Sequence, residues 1–208
     1  MSRRPAVGRP RATSHEQVRA VARELFREQG YAGTSLESIA RAAGVSRTTL
    51  FAYFPSKGDL LFGELEQGTA ALQEALDRRP AGEPIGEGIL AALRTAFDLP
   101  PEEQEAAAER WEIVDANPDL HSYAAQRMHY QAQLIARFIA ARRGELATGF
   151  TPRVVSEAVI AASASAARYW ACTRSATGPM INYIDAAVRP LLTGYEPDLC
   201  PPPVNDPR

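Results

Sequence analysis

The sequence predicts an all-α protein of about nine helices, and three observations support this fold class. Apolar residues recur at the three- and four-residue spacing of amphipathic helices from Val18 onward. Capping residues, glycines and prolines punctuate these periodic segments, as at Gly30, Gly44 and Pro55. No segment of the sequence has the alternating pattern of a half-buried strand.

Residues 14–60 predict a three-helix domain that follows a basic, disordered arm at residues 1–13. Ser14 and Gln17 have the spacing of a capping box, so they predict the start of the first helix. Gly30 predicts its end, and Tyr31 is expected to fill the small core of the domain.

A helix-turn-helix is predicted within this domain. Thr34 and Glu37 again have capping-box spacing and predict the start of the second helix. Gly44 predicts its end, because glycine adopts the left-handed C′ conformation without strain. Ser46 is placed to cap a third helix, whose polar first turn carries Arg47. A recognition helix uses this turn to meet base edges in the major groove.

Residues 61–195 predict a larger helical domain for ligand binding and dimerisation. Ser56 and Asp59 are placed to cap a fourth helix that runs to about Asp77 and links the two domains. Asn117-Pro118 and Thr151-Pro152 each suggest an N-cap followed by proline at the first helical position. The later helices are expected at about 86–98, 102–116, 118–143, 152–173 and 179–193. Residues 196–208 are rich in proline and are expected to be disordered.

Charge is distributed unevenly between the two domains. Residues 1–60 carry ten Lys or Arg and five Asp or Glu, whereas residues 61–208 carry 13 and 20. A basic domain joined to an acidic one concentrates the attraction for phosphate at one end of the chain. The asymmetry coincides with the helix-turn-helix and favours DNA as its partner.

Several side chains of the helix-turn-helix region are suited to DNA contacts. Arg47 is suited to bind guanine O6 and N7 through two hydrogen bonds, with a solvated surface charge as the alternative. Thr48 and Thr49 offer hydroxyls to bases or phosphates, although Thr49 alternatively caps its own helix. The Tyr53 phenol and the Lys57 ammonium, the latter at a helix N-terminus, are suited to phosphate.

The N-terminal arm offers two further cations. Arg9 and Arg11 in the segment GRPR are placed to enter an adjacent minor groove, as basic arms do. A solvated tail without a defined contact is the alternative.

The string GTSLESIARAAGVSRTTLFAYFPSKGDLL closely resembles the DNA-binding domain of the TetR family of bacterial repressors, over about residues 14–63. The family often has tyrosine at the position of Phe51, where its hydroxyl binds phosphate, so Phe51 is expected to pack instead. The resemblance implies DNA contacts by Thr34, Arg47, Thr48, Tyr53 and Lys57.

A single helix-turn-helix makes few phosphate contacts, so a two-fold dimer on a palindromic operator is expected. The last two helices, at about 152–173 and 179–193, are the predicted dimer interface. The first of them is rich in small residues, which permit close approach, and the second has an aliphatic face. Packing of both helices within one subunit is the alternative, and the resemblance to the family favours the dimer.

Large side chains on several middle helices predict an apolar ligand pocket. Three arginines, Arg94, Arg110 and Arg127, lie among them in an otherwise acidic region, and buried arginines need anionic partners. Glu112 or Asp115 is one source of a partner, and an anionic ligand is another. The predicted ligand-binding residues are Arg94, Phe97, Trp111, Tyr123, Arg127, Met128, Tyr130, Phe138, Tyr169 and Trp170.

The segment RWEIVDANPDLHSYAAQRMHYQAQLIARFIAAR resembles the C-terminal domain of TetR-family members of the mycofactocin-regulator type, thought to bind acyl-CoA-like ligands. This second resemblance covers about residues 85–190 and implies a small hydrophobic effector that is anionic or acyl-CoA-like. The predicted function is therefore a ligand-responsive transcriptional repressor that a small hydrophobic effector releases from its operator.

Two other classes of function compete with this prediction, namely a ligand-independent architectural DNA-binding protein and a helical enzyme. The architectural protein leaves the long C-terminal domain unexplained. The enzyme lacks a nucleophile elbow, a phosphate-binding glycine loop and a dinucleotide fingerprint, and His121 and His129 have no third ligand at metal spacing. No catalytic residue, metal or cofactor is therefore expected.

The sequence also predicts a cytoplasmic location without membrane contact. It has no apolar run of about 18 residues and no secretory signal. Cys172 and Cys200 have no metal-ligand spacing and imply no disulfide framework.

Overall fold

The computed structural model describes residues 15–173 and 177–199. These residues form nine helices and no strand, which confirms the predicted all-α fold class. The helices are α1 (His15–Gly33), α2 (Leu36–Ala42), α3 (Arg47–Tyr53), α4 (Lys57–Asp77), α5 (Ile85–Phe97), α6 (Pro101–Ala116), α7 (Asp119–Arg143), α8 (Phe150–Cys172) and α9 (Met180–Leu199).

The chain forms two compact units, which divide after Gly63 inside α4. We call the described residues up to Gly63 the head and those from Glu64 onward the body. The predicted arm with Arg9 and Arg11 lies outside the described residues, as does the predicted cap Ser14. No helix in the described residues is long and apolar enough to cross a membrane.

The head is built around a small apolar core to which each of its first three helices contributes. α1 is kinked at Gly30, which has a φ of 75°, so its regular part ends where the sequence predicts. The Tyr31 ring packs with its centroid 5.0 Å from that of Phe26. The buried apolar side chains of the head are Val18, Ala22, Phe26, Ile39, Ala40, Leu50, Phe54, Leu60, Leu61 and Phe62.

Local caps set the ends of the short helices, and one of the predicted caps is wrong. The capping box of α2 is formed by Ser35 and Ser38, not by Thr34 and Glu37. The Thr34 hydroxyl instead donates to the carbonyl oxygens of Gly30 and Leu25 and so satisfies the end of α1.

The two other predicted caps of the head are confirmed. At the start of α3, the Ser46 hydroxyl oxygen accepts a hydrogen bond from the backbone N–H of Thr49. At the start of α4, the backbone N–H and the hydroxyl of Ser56 both donate to the Asp59 carboxylate. These caps satisfy backbone groups that would otherwise lack partners at the helix starts.

The core of the body is formed by side chains from several of its helices. α8 packs against α6, α7 and α9, and α9 also packs against α5. The fully buried core side chains of the body are Leu72, Ile89, Leu93, Ile135, Ile139, Val155, Val159 and Val188.

The body differs from the prediction at three helix ends. The Asn117 side chain donates to the Ile113 carbonyl at the end of α6, so α7 begins at Asp119 without a side-chain cap. Gly149, rather than Thr151, precedes α8. α9 continues to Leu199, which is 4% exposed, so residues 196–199 are helical rather than disordered. Pro197 lies inside this segment and removes one helical hydrogen bond, whereas the burial of Leu199 favours the helical conformation.

Candidate nucleic-acid interface and ligand cavity

α3 separates a buried face from an exposed polar face. Leu50 and Phe54 are buried at 1% and 3% exposure and fix the helix on the head core. Arg47, Thr48 and Tyr53 are exposed, as a recognition helix requires of its base- and phosphate-contacting groups.

Arg47 is held by two neighbours on the exposed side of the head. Its Nη1 lies 2.7 Å from Oε1 of Glu37 on α2. Its guanidinium carbon lies 5.4 Å from the centroid of the Phe51 ring. Phe51 is 38% exposed, so it packs against Arg47 at the surface and not in the core.

Thr49 and Tyr53 make contacts that define their surroundings. The Thr49 hydroxyl lies 2.7 Å from that of Ser46, the residue that caps α3, and its contact with DNA stays a prediction. The Tyr53 ring centroid lies 4.5 Å from that of His15, and the side chain is 57% exposed. The Tyr53 phenol therefore remains a predicted phosphate donor.

Lys57 lies partly inside the head. Its ammonium donates to the Tyr31 carbonyl oxygen at 2.7 Å and lies 4.4 Å from the centroid of the Tyr31 ring. Desolvation by burial lowers the pKa of Lys57. An ammonium has three N–H donors, so the bond to Tyr31 is compatible with a phosphate contact, which remains a prediction.

Thr34 does not present its side chain to DNA. It is 2% exposed, and its hydroxyl donates to carbonyl oxygens inside the head. The DNA contact of Thr34 stays a prediction, and its hydroxyl is not available for that contact because it closes the end of α1.

The body contains a cavity of about 230 Å³ bounded by α4 to α9. Its wall is mainly apolar and includes Leu65, Phe97, Trp111, Met128, Ile160 and Met180. Of the predicted ligand-binding residues, Phe97, Trp111 and Met128 line this cavity. Its composition suits a hydrophobic ligand.

Of the polar residues in the cavity wall, Gln67 and Glu103 are exposed and three others are buried. Arg110, Gln131 and Ser163 are 7%, 4% and 7% exposed. The Gln131 amide donates to the Thr69 hydroxyl at 2.8 Å, and the Ser163 hydroxyl donates to the Val159 carbonyl at 2.8 Å. Arg110 brings a positive charge to a wall with little access to water, where hydrogen bonds to an anion are strong.

The other predicted ligand-binding residues lie elsewhere among the described residues. Arg94 forms an ion pair with Asp185, whose hydrogen bond raises the pKa of Arg94. Arg127 lies over the Tyr123 ring, with its guanidinium carbon 3.9 Å from the centroid, and pairs with Glu66. These two arginines find carboxylate partners within the protein, but the partners are Asp185 and Glu66 and not the predicted Glu112 or Asp115.

The remaining aromatic residues of the predicted ligand-binding set do not line this cavity. Tyr130 and Tyr169 are 47% and 62% exposed, because their helix faces point to solvent. Phe138 packs on Gly88, where an added Cβ would lie 2.9 Å from the phenylalanine Cζ. The Trp170 indole N–H donates to the Gly178 carbonyl at 3.2 Å.

The predicted set of ligand-binding residues omits the small residues of α8, although their run is visible in the sequence. The sequence assigns this run to the dimer interface, but Ser163, Ala164 and Ala167 line the cavity. Ala161 and Ser165, on the other side of the helix, are exposed. Small side chains on the inner face of α8 leave the space that the cavity occupies.

Comparison with known families agrees with this two-unit organisation. The family of bacterial regulatory proteins described as the tetR family matches residues 18–63. The family described as the MftR C-terminal domain matches residues 83–196, more than half of the chain. The chain belongs to the TetR family. It is a transcriptional regulator, which confirms the prediction at that level.

Relatives of this TetR-family regulator extend along most of its length. It is 32% identical over 164 residues to MftR of Mycobacterium tuberculosis, assigned as a mycofactocin biosynthesis transcriptional regulator, and the match covers 79% of this chain and 83% of that protein. It is 29% identical to the transcriptional regulator TcmR of Streptomyces glaucescens, and that match covers 76% and 73% of the two chains.

A solved structure shares the fold of the regulator. It is Thermus thermophilus FadR, a TetR-family transcriptional repressor in complex with lauroyl-CoA. The TM-score is 0.57 at 25% sequence identity, with 94% of this chain and 100% of that chain covered.

Proposed function

We propose that this regulator is a homodimeric repressor that binds a palindromic operator and releases it when an effector fills the body cavity. The observation that carries the proposal is the combination of an apolar cavity wall with the buried charge of Arg110. The proposed mechanism leaves the effector chemically unchanged, because binding alone releases the operator.

The cavity supports an effector with an apolar chain and an anionic end. Phe97, Trp111 and Met128 suit the chain, and Arg110 suits a carboxylate or phosphate. The complex of the Thermus relative with lauroyl-CoA supports the same class of ligand, an acyl chain joined to an anionic group.

α4 supplies the proposed coupling between effector and DNA. Leu65, Gly68 and Ala71 of α4 line the cavity, and the same helix begins at Lys57 in the head. An effector that favours one position of this helix shifts the head away from its operator-bound arrangement. A 100-fold loss of operator affinity requires about 2.7 kcal/mol of difference between the two states in effector binding.

The exposed faces of α8 and α9 support the proposed dimer. Ala161 and Ser165 on α8 and Ala186 and Pro190 on α9 are exposed and small or short. Such residues let helices of two subunits approach closely, and a two-fold dimer presents two heads to two half-sites.

The test is an operator titration with the full-length protein, using DNA selected from a random-sequence library. We expect saturating lauroyl-CoA or laurate to weaken operator binding about 100-fold and coenzyme A alone to leave it unchanged. Operator DNA must then weaken laurate binding by the same factor, because the coupling is reciprocal. Tight ligand binding without any change in operator affinity would contradict the release mechanism.

Light scattering tests the dimer separately. We expect the mass of two chains at micromolar concentration, with and without ligand. A monomer would refute the dimer while leaving the ligand titration interpretable.

A further inference from the structure

A carboxylate, a guanidinium and a phenyl ring form a stack on the exposed side of the helix-turn-helix. Glu37 lies in the first turn of α2, Arg47 is the first residue of α3, and Phe51 follows one turn later. Nη1 of Arg47 lies 2.7 Å from Oε1 of Glu37, and its guanidinium carbon lies 5.4 Å from the Phe51 ring centroid. The Arg47 and Glu37 side chains are 67% and 54% exposed, so the stack faces solvent.

We propose that Glu37 determines operator specificity by positioning Arg47, an inference that rests on the proposed binding of DNA by the head. An arginine side chain loses rotamer freedom when it is fixed on a base. Glu37 and Phe51 hold the guanidinium before DNA arrives, so less freedom remains to be lost on binding. The carboxylate occupies part of a guanidinium that has five N–H donors, and others remain for guanine O6 and N7.

The charge of Glu37 has a second effect, which is on the affinity of the head for any DNA sequence. Any cation near DNA attracts phosphates whatever the base sequence. The carboxylate beside Arg47 offsets that attraction and repels the DNA backbone. This repulsion acts on operator and random-sequence DNA alike, so it limits the sequence-independent affinity, and the specificity comes from the positioning of Arg47.

Glu37 has no part in the cap of its own helix, which makes it a clean position for substitution. The capping box of α2 is formed by Ser35 and Ser38. Replacing an exposed side chain outside that box leaves the fold of the head unchanged, and the melting temperature checks this directly.

The experiment compares Glu37→Gln with a matched control, Glu24→Gln. Glu24 pairs with Arg27 on α1 of the same unit, and that pair is also exposed. Both variants remove one negative charge from the head. We expect Glu37→Gln to raise affinity for random-sequence DNA, because it removes a negative charge beside Arg47. The increase should be only about threefold, since the contribution of one exposed charge is small. We also expect this variant to lower the preference for the base pair read by Arg47 at least threefold. Glu24→Gln should leave the base preference as in the wild type.

Glu37→Asp separates the two effects. It keeps the charge but shortens the side chain by one methylene, so it withdraws the carboxylate from Arg47. We expect random-sequence affinity close to that of the wild type together with a weakened base preference. A base preference equal to that of the wild type would overturn the positioning role.

The same substitutions in an Arg47→Ala background decide whether Glu37 acts through Arg47. We expect Glu37→Gln to have no further effect on base preference there, because the group that it positions is gone. An equal effect in both backgrounds would overturn the inference and make Glu37 itself the base contact.

The experiment distinguishes refutation of the proposed function from refutation of this inference. If the wild type has no base preference that Arg47→Ala relaxes, DNA reading by the head is refuted, and the inference falls with it. If Arg47→Ala relaxes the preference and Glu37→Gln does not, only the inference is refuted.

Discussion

In the head, Arg47 projects a side chain that is 67% exposed and rests between Glu37 and Phe51, whereas in the body Arg110 is 7% exposed and lines a cavity. The first arrangement keeps a charge available to a polyanion that arrives from solvent. The second keeps a charge in a mainly apolar wall, where it supports the proposed binding of an anionic ligand. The arginine of the head is thus hydrated, whereas the arginine of the body is largely shielded from water.

The two units also differ in the size of the core that supports their functional groups. The head presents its functional groups on a core of a few side chains, so loss of one core residue affects the whole unit. The body has a larger core, and the ligand that its cavity is suited to bind depends on the side chains that line the wall.

The largest expected effect comes from the head core. Leu50→Ala removes a side chain that is 1% exposed and should destabilise the head by about 2–5 kcal/mol, with loss of operator binding. Laurate binding by the body should persist. Leu146→Ala, at a position 77% exposed, is the matched control and should change stability by less than about 0.5 kcal/mol. Urea unfolding followed by circular dichroism measures both, and parallel loss of laurate binding would show that the units do not act separately.

The next effect concerns the buried arginine of the body. Arg110→Met keeps much of the side-chain volume and removes the charge. It should weaken laurate binding by about 1.5–3 kcal/mol, the range for hydrogen bonds to charged groups, and leave binding of neutral dodecanol nearly unchanged. Arg94→Met, which removes an arginine paired with Asp185 outside the cavity, is the control. Equal loss for laurate and dodecanol in calorimetry would mean that Arg110 supports the cavity wall and does not bind the anion.

A smaller effect separates the two cations of the head. Arg47→Ala should reduce discrimination at one base pair of each half-site by about 1–3 kcal/mol. Lys57→Ala should weaken all sequences alike and reduce the slope of the salt dependence by about one unit for each phosphate that is no longer bound. Binding to operator variants over a range of salt concentrations measures both. If both variants lost affinity equally for all operator sequences, the base-reading role of Arg47 would be refuted.

The head was largely predictable from sequence because its helix ends depend on neighbouring residues. Gly30, Ser46 and the pair Ser56–Asp59 act within one turn of the helix that they start or end. The cap of α2 was misassigned because capping-box spacing is satisfied by Thr34–Glu37 and also by Ser35–Ser38. The backbone direction out of α1, which turns Thr34 inward, decides between them.

The cavity was less predictable because it depends on contacts between distant segments. Phe97 and Phe138 both lie on apolar helix faces, yet only Phe97 lines the cavity, since Phe138 packs on Gly88. Arg94 and Arg127 are equally charged in the sequence, but their partners Asp185 and Glu66 lie far along the chain. Helical periodicity gives the face of each helix and does not give the neighbour that the face meets.

The smallest expected effect is the pH dependence that Lys57 gives the head. Lys57 is the single lysine of the chain, so an isotope-labelled lysine reports its ammonium alone. Burial lowers its pKa in the folded protein, so just below the ordinary lysine pKa the unfolded chain binds more protons than the folded chain. Stability should therefore rise slightly as the pH rises through that window, and Lys57→Met should abolish this rise. NMR titration of the labelled side chain gives the pKa directly. A pKa at or above the ordinary value would mean that the contacts that stabilise the ammonium, such as those with the carbonyl oxygen and ring of Tyr31, outweigh its desolvation.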